Sequence, residues 1–560
     1  MSSALLLRRP WHALYGGEPQ TLRPRRDSVL DLFRDAVAAN GEVTAAVYFD
    51  RLLSYRELDG ASEALAAWML DQQVGAGDRV TIILQNDPQF LIAILAAWKL
   101  GAIPVPINPM YRTGEMKTLF ADSSPRVIFC YAHDVEVIQG AADEIALGAT
   151  IIVASPRTFQ SGDDERVLPP RCPLPEAYPR FHTILEEARG RSVPHFSPSA
   201  VLPALILYTS GTTGAPKGAV ARHAALAFNG TSIATWCRLH SNTRILAIAP
   251  LFHITGIVCH VAAAFAVRCS LVLNYRFEPS SVLDAIRATR PTYSIGSITA
   301  FNALMNAPGA CVEDFASFES IYSGGAPIPP SVRAEFKERM GQLIHTSYGM
   351  TETSAPTHLC PFGVEAPVDP NSGALSIGIP IYDTDAVVID DGGKPVPPSV
   401  AGELCMKGPQ IMLGYWNKPE QTAETLVNGW MHSGDIAVMD EAGWFYLVDR
   451  KKDMIIASGF KVWPREVEDV LYTHPAVREA AVVGVADTYR GETVKAYVSL
   501  KPGCRIDADE VIRYCRESIA IYKAPTLVEI LDELPKTVTG KIQRNVLRGI
   551  AKQKSRENSK

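Results

Sequence analysis

In Leu205-Ile-Leu-Tyr-Thr-Ser-Gly-Thr-Thr-Gly-Ala-Pro-Lys-Gly218, four apolar or aromatic residues run straight into Thr209, Ser210, Thr212 and Thr213, interleaved with Gly211, Gly214 and Gly218 and joined by Lys217. Glycines let backbone N–H groups close around an oxyanion, hydroxyls add donors and one ammonium adds charge, which together make a phosphate cradle. The loop is not a Walker A motif, because Gly218 rather than Ser or Thr follows Lys217 and the glycine spacing differs. A plain polar turn after a strand is the competing reading. Four hydroxyls packed among glycines at a strand end weigh against it.

Outward from this loop, the chain has 560 residues, too many for one core, so at least two domains are expected. It is 47% apolar, and its 54 basic side chains against 60 acidic ones give a formal charge of -6. That balance argues against nucleic acid as a partner and excludes wholesale disorder. The two most apolar stretches, Phe90–Pro109 and Gly256–Tyr275, are interrupted by Lys99, Pro104 and Pro106 and by His260 and Arg268. They read as buried core rather than membrane spans. The ten cysteines contain no C-x-x-C, which suits a reducing cytoplasm and neither a disulfide scaffold nor a zinc site. The Arg-rich start reads as an ordinary arm rather than a transit peptide. The last twenty residues, with seven bases and Glu557, read as a solvated face that leaves weak peripheral membrane contact open.

Local signals alternate between helix and strand. Ser28 caps a helix to Ala39, Ser54-x-x-Glu57 has capping-box spacing, Arg79–Leu84 is β-branched, and Asp87-Pro88 opens the helix Phe90–Leu100. This order predicts a helix-flanked parallel or mixed sheet. Residues from about Ser155 to Pro198 read as a surface excursion. From Gly373 to Val448, turn signals between short strands predict a small antiparallel unit. Beyond Arg450 a compact α+β module of about 110 residues could fold alone. The fold class is therefore α/β: a large N-terminal domain (1–449) of helix-flanked mixed sheets plus the antiparallel unit, then a small mobile α+β domain (450–560), hinged near 449–453.

Further motifs follow in order: Ser323-Gly-Gly-Ala-Pro327, Tyr348-Gly-Met-Thr-Glu352, Gly402-Glu403, Ser433-Gly-Asp435, Asp449-Arg450, Ser458-Gly-Phe460 and Pro535-Lys-Thr-Val-Thr-Gly-Lys541. With the loop above they resemble the adenylate-forming superfamily of acyl- and aryl-CoA synthetases, luciferases and peptide-synthetase adenylation domains, over residues from about 30 to 550. Val462-Trp-Pro-Arg-Glu466 and Gly443-Trp-Phe-Tyr-Leu447 look most like bacterial fatty-acyl-CoA ligases.

The resemblance implies roles. Thr209, Ser210, Gly211, Thr212, Thr213, Gly214 and Lys217 would cradle the phosphates of ATP, and Gly324, Gly325, Ala326 and Pro327 would border the adenine, with Tyr348 and Gly349 completing the nucleotide site. Thr351 would donate to the α-phosphate. Glu352, with Thr209, would hold Mg²⁺, a hard cation suited to oxygen ligands. Asp435 and Arg450 would take the ribose. His253 would line the carboxylate entrance and Lys541 would reach the α-phosphate. Lys452 is the hinge position, and Ser458, Gly459 and Phe460 would face the pantetheine arm of CoA.

The implied reaction activates a carboxylic acid, most plausibly a medium- or long-chain fatty acid, as an acyl-adenylate with loss of pyrophosphate. CoA then displaces AMP to give the thioester. Ser297-Ile-Thr299 departs from the valine-proline-threonine common in long-chain members, which leaves an aryl or terpenoid acid open. Delivery to a carrier protein is the nearest competitor, followed by an ADP-releasing kinase or hydrolase and a silent ATP-binding regulator. A homodimer is left open.

Overall fold

The computed structural model describes residues 9–557 except 210–215, 371, 451–452, 458–459, 488–490 and 538–539, and describes no side chain for 449, 450, 460, 461, 491 and 555–557. Helix Val29–Asn40 starts at Ser28, whose hydroxyl accepts from Asp31 N, and helix Tyr55–Asp71 carries the full Ser54/Glu57 capping box. Helix Pro88–Lys99 is buried along its whole length, and Asp87 Oδ1 caps it through Phe90 N. Burying Lys99 in that helix requires counter-charge, and Asp59 and Glu63 supply it at 2.7 and 3.0 Å.

These helices flank a four-stranded parallel sheet in the order Ile103–Pro106, Arg79–Ile82, Val127–Tyr131, Thr150–Ala154. A fourteen-stranded sheet forms the spine of the large domain. Its parallel half runs Thr44–Tyr48, Ser270–Leu273, Arg244–Leu246, Tyr293–Gly296, Ser320–Ser323, Ile344–Met350. After Met350 the neighbours become antiparallel, beginning with Ala355–Leu359 and Ser376–Pro380. The small antiparallel unit expected from Gly373 to Val448 is present, and it continues this sheet through the pairing of Ser376–Pro380 with Phe445–Arg450. Ser376–Pro380 is buried throughout and is paired on both edges, as its buried backbone groups require. A third sheet of three antiparallel strands joins Pro203–Thr209, Lys217–Arg222 and Gly414–Tyr415.

The C-terminal part is a five-stranded sheet built on the long pair Val477–Asp487 and Gly491–Leu500, with helices Pro464–Thr473 and Ala508–Ser518 over its own core. The basic tail folds into helix Arg544–Glu557. There Arg544, Arg548 and Lys554 pair with Glu468, Asp453 and Glu529, which neutralises charge that an anionic surface would need. Residues 155–198 are mostly irregular around the helix Phe181–Glu187. Phe90–Pro109 and Gly256–Tyr275 are largely buried, although Gly256–Ala262 is a π-helix that periodicity did not predict. Among the described residues no helix is long and apolar enough to cross a membrane.

Asp87 yields a stability prediction. Burial pushes its carboxyl up to about 7, against the pull of the Tyr131 hydroxyl and backbone donors. A carboxyl with a raised folded value is stabilising while protonated, and that contribution is lost as pH rises through about 7. Asp87→Asn is therefore expected to gain stability relative to wild type between about pH 5.5 and 8.5, by roughly 2 kcal/mol. Thermal melts of both proteins across that range test this, and a pH-independent difference contradicts it.

Candidate active site

The glycine-rich loop links the antiparallel strands Pro203–Thr209 and Lys217–Arg222, with Thr209 opposite Lys217. Ser210, Gly211, Thr212, Thr213 and Gly214 lie outside the described residues. Thr209 is half-buried, and its hydroxyl lies 3.4 Å from the Lys217 carbonyl. The Lys217 ammonium stands 5.1 Å from the ring centre of Tyr415, whose hydroxyl donates to Glu352 Oε1 at 2.8 Å. One aromatic thus spaces a cation from a carboxylate, attracting the first with its π face and the second with its hydroxyl. Burial and Glu352 keep that phenol protonated. No motif in the sequence singles out Tyr415, which lies in the two-residue strand Gly414–Tyr415.

Glu352 is buried in the short 3₁₀ turn Thr351–Thr353, where the long sheet changes from parallel to antiparallel, and Thr351 is half-buried beside it. Its Oε2 has no protein partner among the described residues. A buried carboxylate with one oxygen unclaimed fits a hard divalent cation. A second trio, Glu403, Cys405 and His432, has ligand atoms within 4.8 Å of one another. Its thiol is pushed up to about 12 by burial and by Glu403, and a sulfur ligand does not suit Mg²⁺.

The nucleoside side is built on the same sheet. Tyr348, near the end of its strand, donates to Asp435 Oδ2 at 2.8 Å, and both residues are buried. Asp435 N donates to Ser433 Oγ, which fixes the carboxylate's backbone. Arg450 pairs with Asp435 in the strand register, while its side chain is outside the described set. Gly324, Gly325, Ala326 and Pro327 form a partly exposed turn after strand Ser320–Ser323, and Gly349 sits in the strand Ile344–Met350. Lys452, Ser458 and Gly459 are outside the described residues. Phe460 opens strand Phe460–Val462, paired with Ala457.

His253 lies just before the π-helix. Its Nδ1 accepts from Thr255 N at 3.3 Å, so Nε2 carries the proton of the neutral ring. Burial first, then the positive charge of Lys541, lowers its pKa to about 4. The Lys541 charge thus acts on a residue of the large domain. Thr299 Oγ1 donates to the Gly540 carbonyl at 3.1 Å. Gly540 has φ +78°, and a Cβ there would stand 2.1 Å from Thr299 Oγ1. Only glycine permits this approach. Thr299, the one residue of Ser297-Ile-Thr299 that keeps the common valine-proline-threonine pattern, is thus a docking point for the small domain.

Comparisons with known proteins place the chain in a family. A profile described as AMP-binding enzyme matches residues 33–416, and one described as AMP-binding enzyme C-terminal domain matches 466–541. A long-chain-fatty-acid–CoA ligase of Escherichia coli O6:H1 is 35% identical, covering 98% of this chain and 99% of the relative. A feruloyl-CoA synthase of Amycolatopsis is 34% identical over 90% of this chain and 95% of its own. The ATP-bound crystal structure of MatB from Rhodopseudomonas palustris superposes with a TM-score of 0.82 at 27% identity, covering 93% of this chain and 98% of that one.

Two predictions follow from the docking geometry. Gly540→Ala should slow acid-dependent pyrophosphate exchange at least about tenfold, with partial recovery when Thr299→Ala removes the obstructing oxygen; unchanged exchange would contradict the contact. Because His253 is neutral well above about pH 4, the rate ratio of wild type to His253→Ala should stay flat between about pH 6 and 9. A step near the ordinary histidine value in a pH–rate profile would contradict that.

Proposed function

The chain belongs to the AMP-binding enzyme family and is an AMP-forming acid–CoA ligase that uses ATP and CoA, and from that premise we propose how its own residues divide the work and which acid it takes. Adenylation requires a carboxylate oxygen to attack the α-phosphorus of ATP while pyrophosphate leaves. Two like-charged reactants meet there, so cationic groups in a dry site lower the barrier by several kcal/mol. Lys541 is the ammonium that answers the α-phosphate charge, Lys217 serves the leaving phosphates, and Thr351 adds a hydroxyl donor. Neutral His253 donates Nε2–H to the incoming carboxylate without adding charge. Glu352 with Thr209 would hold Mg²⁺, which supplies charge neutralisation at the phosphate oxygens. Asp435, with Arg450 and Tyr348, holds the ribose, and the turn at Gly324–Pro327 borders the adenine.

The observation that carries this reading is the closeness of Lys541 to His253, with Gly540 seated on Thr299. It supports a C-terminal domain, beginning near residues 449–453 with Lys452 as pivot, that adopts one pose for adenylation. A second pose brings the Ser458-Gly459-Phe460 segment round for thioester formation, in which the CoA sulfur, having given up its proton, attacks the acyl carbonyl and AMP departs. Alternate covering of one site protects the mixed anhydride from water.

The acid is a medium- or long-chain fatty acid. Phe252, Ile254, Ile257 and Val258, which flank His253 in sequence, and Ile298 and Phe301, beside Thr299, are all buried apolar residues, and the E. coli relative carries a fatty-acid name. The feruloyl-CoA synthase relative favours an aryl acid as the second reading. All ten cysteines are free thiols, which supports a cytoplasmic setting. Pyrophosphate release across octanoate, palmitate, ferulate and benzoate tests the acid class, and a preference for ferulate or benzoate would overturn the fatty reading. Lys541→Ala is expected to cut acid-dependent pyrophosphate exchange by about a hundredfold or more while sparing thioester formation from supplied acyl-adenylate. Equal loss of both half-reactions would contradict the division of labour.

A further inference from the structure

The turn that carries Thr351 and Glu352 is followed by two consecutive non-glycine residues in the left-handed region, Ser354 at φ 49° and Ala355 at φ 79°. Neither residue type adopts that region readily, so the surroundings must hold the backbone there. Internal bonds do part of this: Ser354 N donates to Thr351 O, and Thr353 Oγ1 donates to Ala355 O at 2.7 Å. The rest comes from a different element. Asn229, fully buried on helix His223–Trp236, directs its amide nitrogen at three loop carbonyls: Ser354 O at 2.6 Å, Pro356 O at 3.1 Å and, at longer range, Thr353 O at 3.4 Å. Its own Oδ1 has no partner. A buried acceptor left unsatisfied carries a cost, which the grip on the loop offsets.

The same helix is tied to both sides of the reaction. It begins directly after strand Lys217–Arg222, which carries the phosphate-loop lysine. Next to Asn229, Gly230 lets the π-helix that follows His253 approach so closely that a Cβ would stand 2.6 Å from the Ala262 side chain. Helix His223–Trp236 therefore touches the lysine strand, the acid entrance and, through one amide, the loop behind the carboxylate.

We propose that Asn229 is a positioning residue for adenylation: by clamping the strained Thr353–Pro356 carbonyls it fixes Glu352 and Thr351 relative to Lys217. The proposal rests on the reading that Glu352 and Thr351 serve the first half-reaction. Removing the clamp leaves carbonyls unpaired and lets the turn relax, which should weaken the divalent-ion site and spare thioester formation. A group behind a metal ligand is worth about 10- to 100-fold in metal affinity or activity.

The test compares wild type, Asn229→Ala, Asn229→Ala/Ala355→Gly and Glu352→Gln. Each is measured for Mn²⁺ affinity in the ATP complex by water-proton relaxation, for the Mg²⁺ half-saturation of acid-dependent pyrophosphate exchange, and for thioester formation from supplied acyl-adenylate. Asn229→Ala should weaken Mn²⁺ binding and raise the Mg²⁺ half-saturation by about tenfold, leaving the thioester step within about threefold. Ala355→Gly, which lets the loop take its conformation unaided, should restore much of the loss and also provides a folded background should the single variant prove insoluble. Unchanged Mn²⁺ affinity in Asn229→Ala, or equal loss of both half-reactions, would overturn the proposal. If Glu352→Gln itself leaves Mn²⁺ binding and Mg²⁺ dependence intact, the reading of Glu352 fails instead.

Discussion

The seating of Gly540 against the Thr299 hydroxyl is the contact on which the arrangement of the proposed site depends. A carboxylate and a triphosphate repel one another, and a buried site offers no water to screen them. The cation that answers this charge comes from the C-terminal domain, so its arrival has to be arranged by geometry. Gly540 at φ +78° and the Thr299 hydroxyl provide that geometry. On the other side of the cleft, burial first and the Lys541 charge second lower the pKa of His253, so its imidazole stays neutral.

Around this meeting point the large domain is rigid. The nucleotide residues sit at the ends of parallel strands, where open α/β sheets place ligands, and where the long sheet turns antiparallel. Tyr415 separates Lys217 from Glu352, preventing a direct ion pair that would consume both groups before ATP arrives. Tyr348 orients Asp435 in the same manner. In the proposed reading, fixed nucleotide groups on one side and a movable cation on the other meet the demand of a two-step reaction through a water-sensitive intermediate.

Much of this was legible in the sequence wherever local chemistry sets local structure. The Ser54/Glu57 box, the Asp87 cap and the helix at Ala508–Ser518 follow from side chains that bond their own backbone. The ordered motifs singled out Glu352, Asp435 and Lys541 as candidates. What was not legible depends on contacts between distant segments. The antiparallel unit was legible from its turns, but its continuation of the long sheet through Ser376–Pro380 and Phe445–Arg450 has no local mark. Asn229 and Tyr415 act on carbonyls or side chains more than sixty positions away. The π-helix at Gly256–Ala262 follows from burial on every face, which removes the periodicity that would have announced it.

Pulsed electron–electron resonance tests the central claim most directly. Spin labels would be placed on helices Ile298–Met305 and Arg544–Glu557, at Asn302→Cys and Lys552→Cys, after serine replaces the accessible Cys172, Cys311 and Cys504. The account predicts one distance with acid and ATP bound, and a shift to a second, distinct distance when a bound acyl-adenylate analogue is joined by CoA. A single distance that no ligand alters would contradict it.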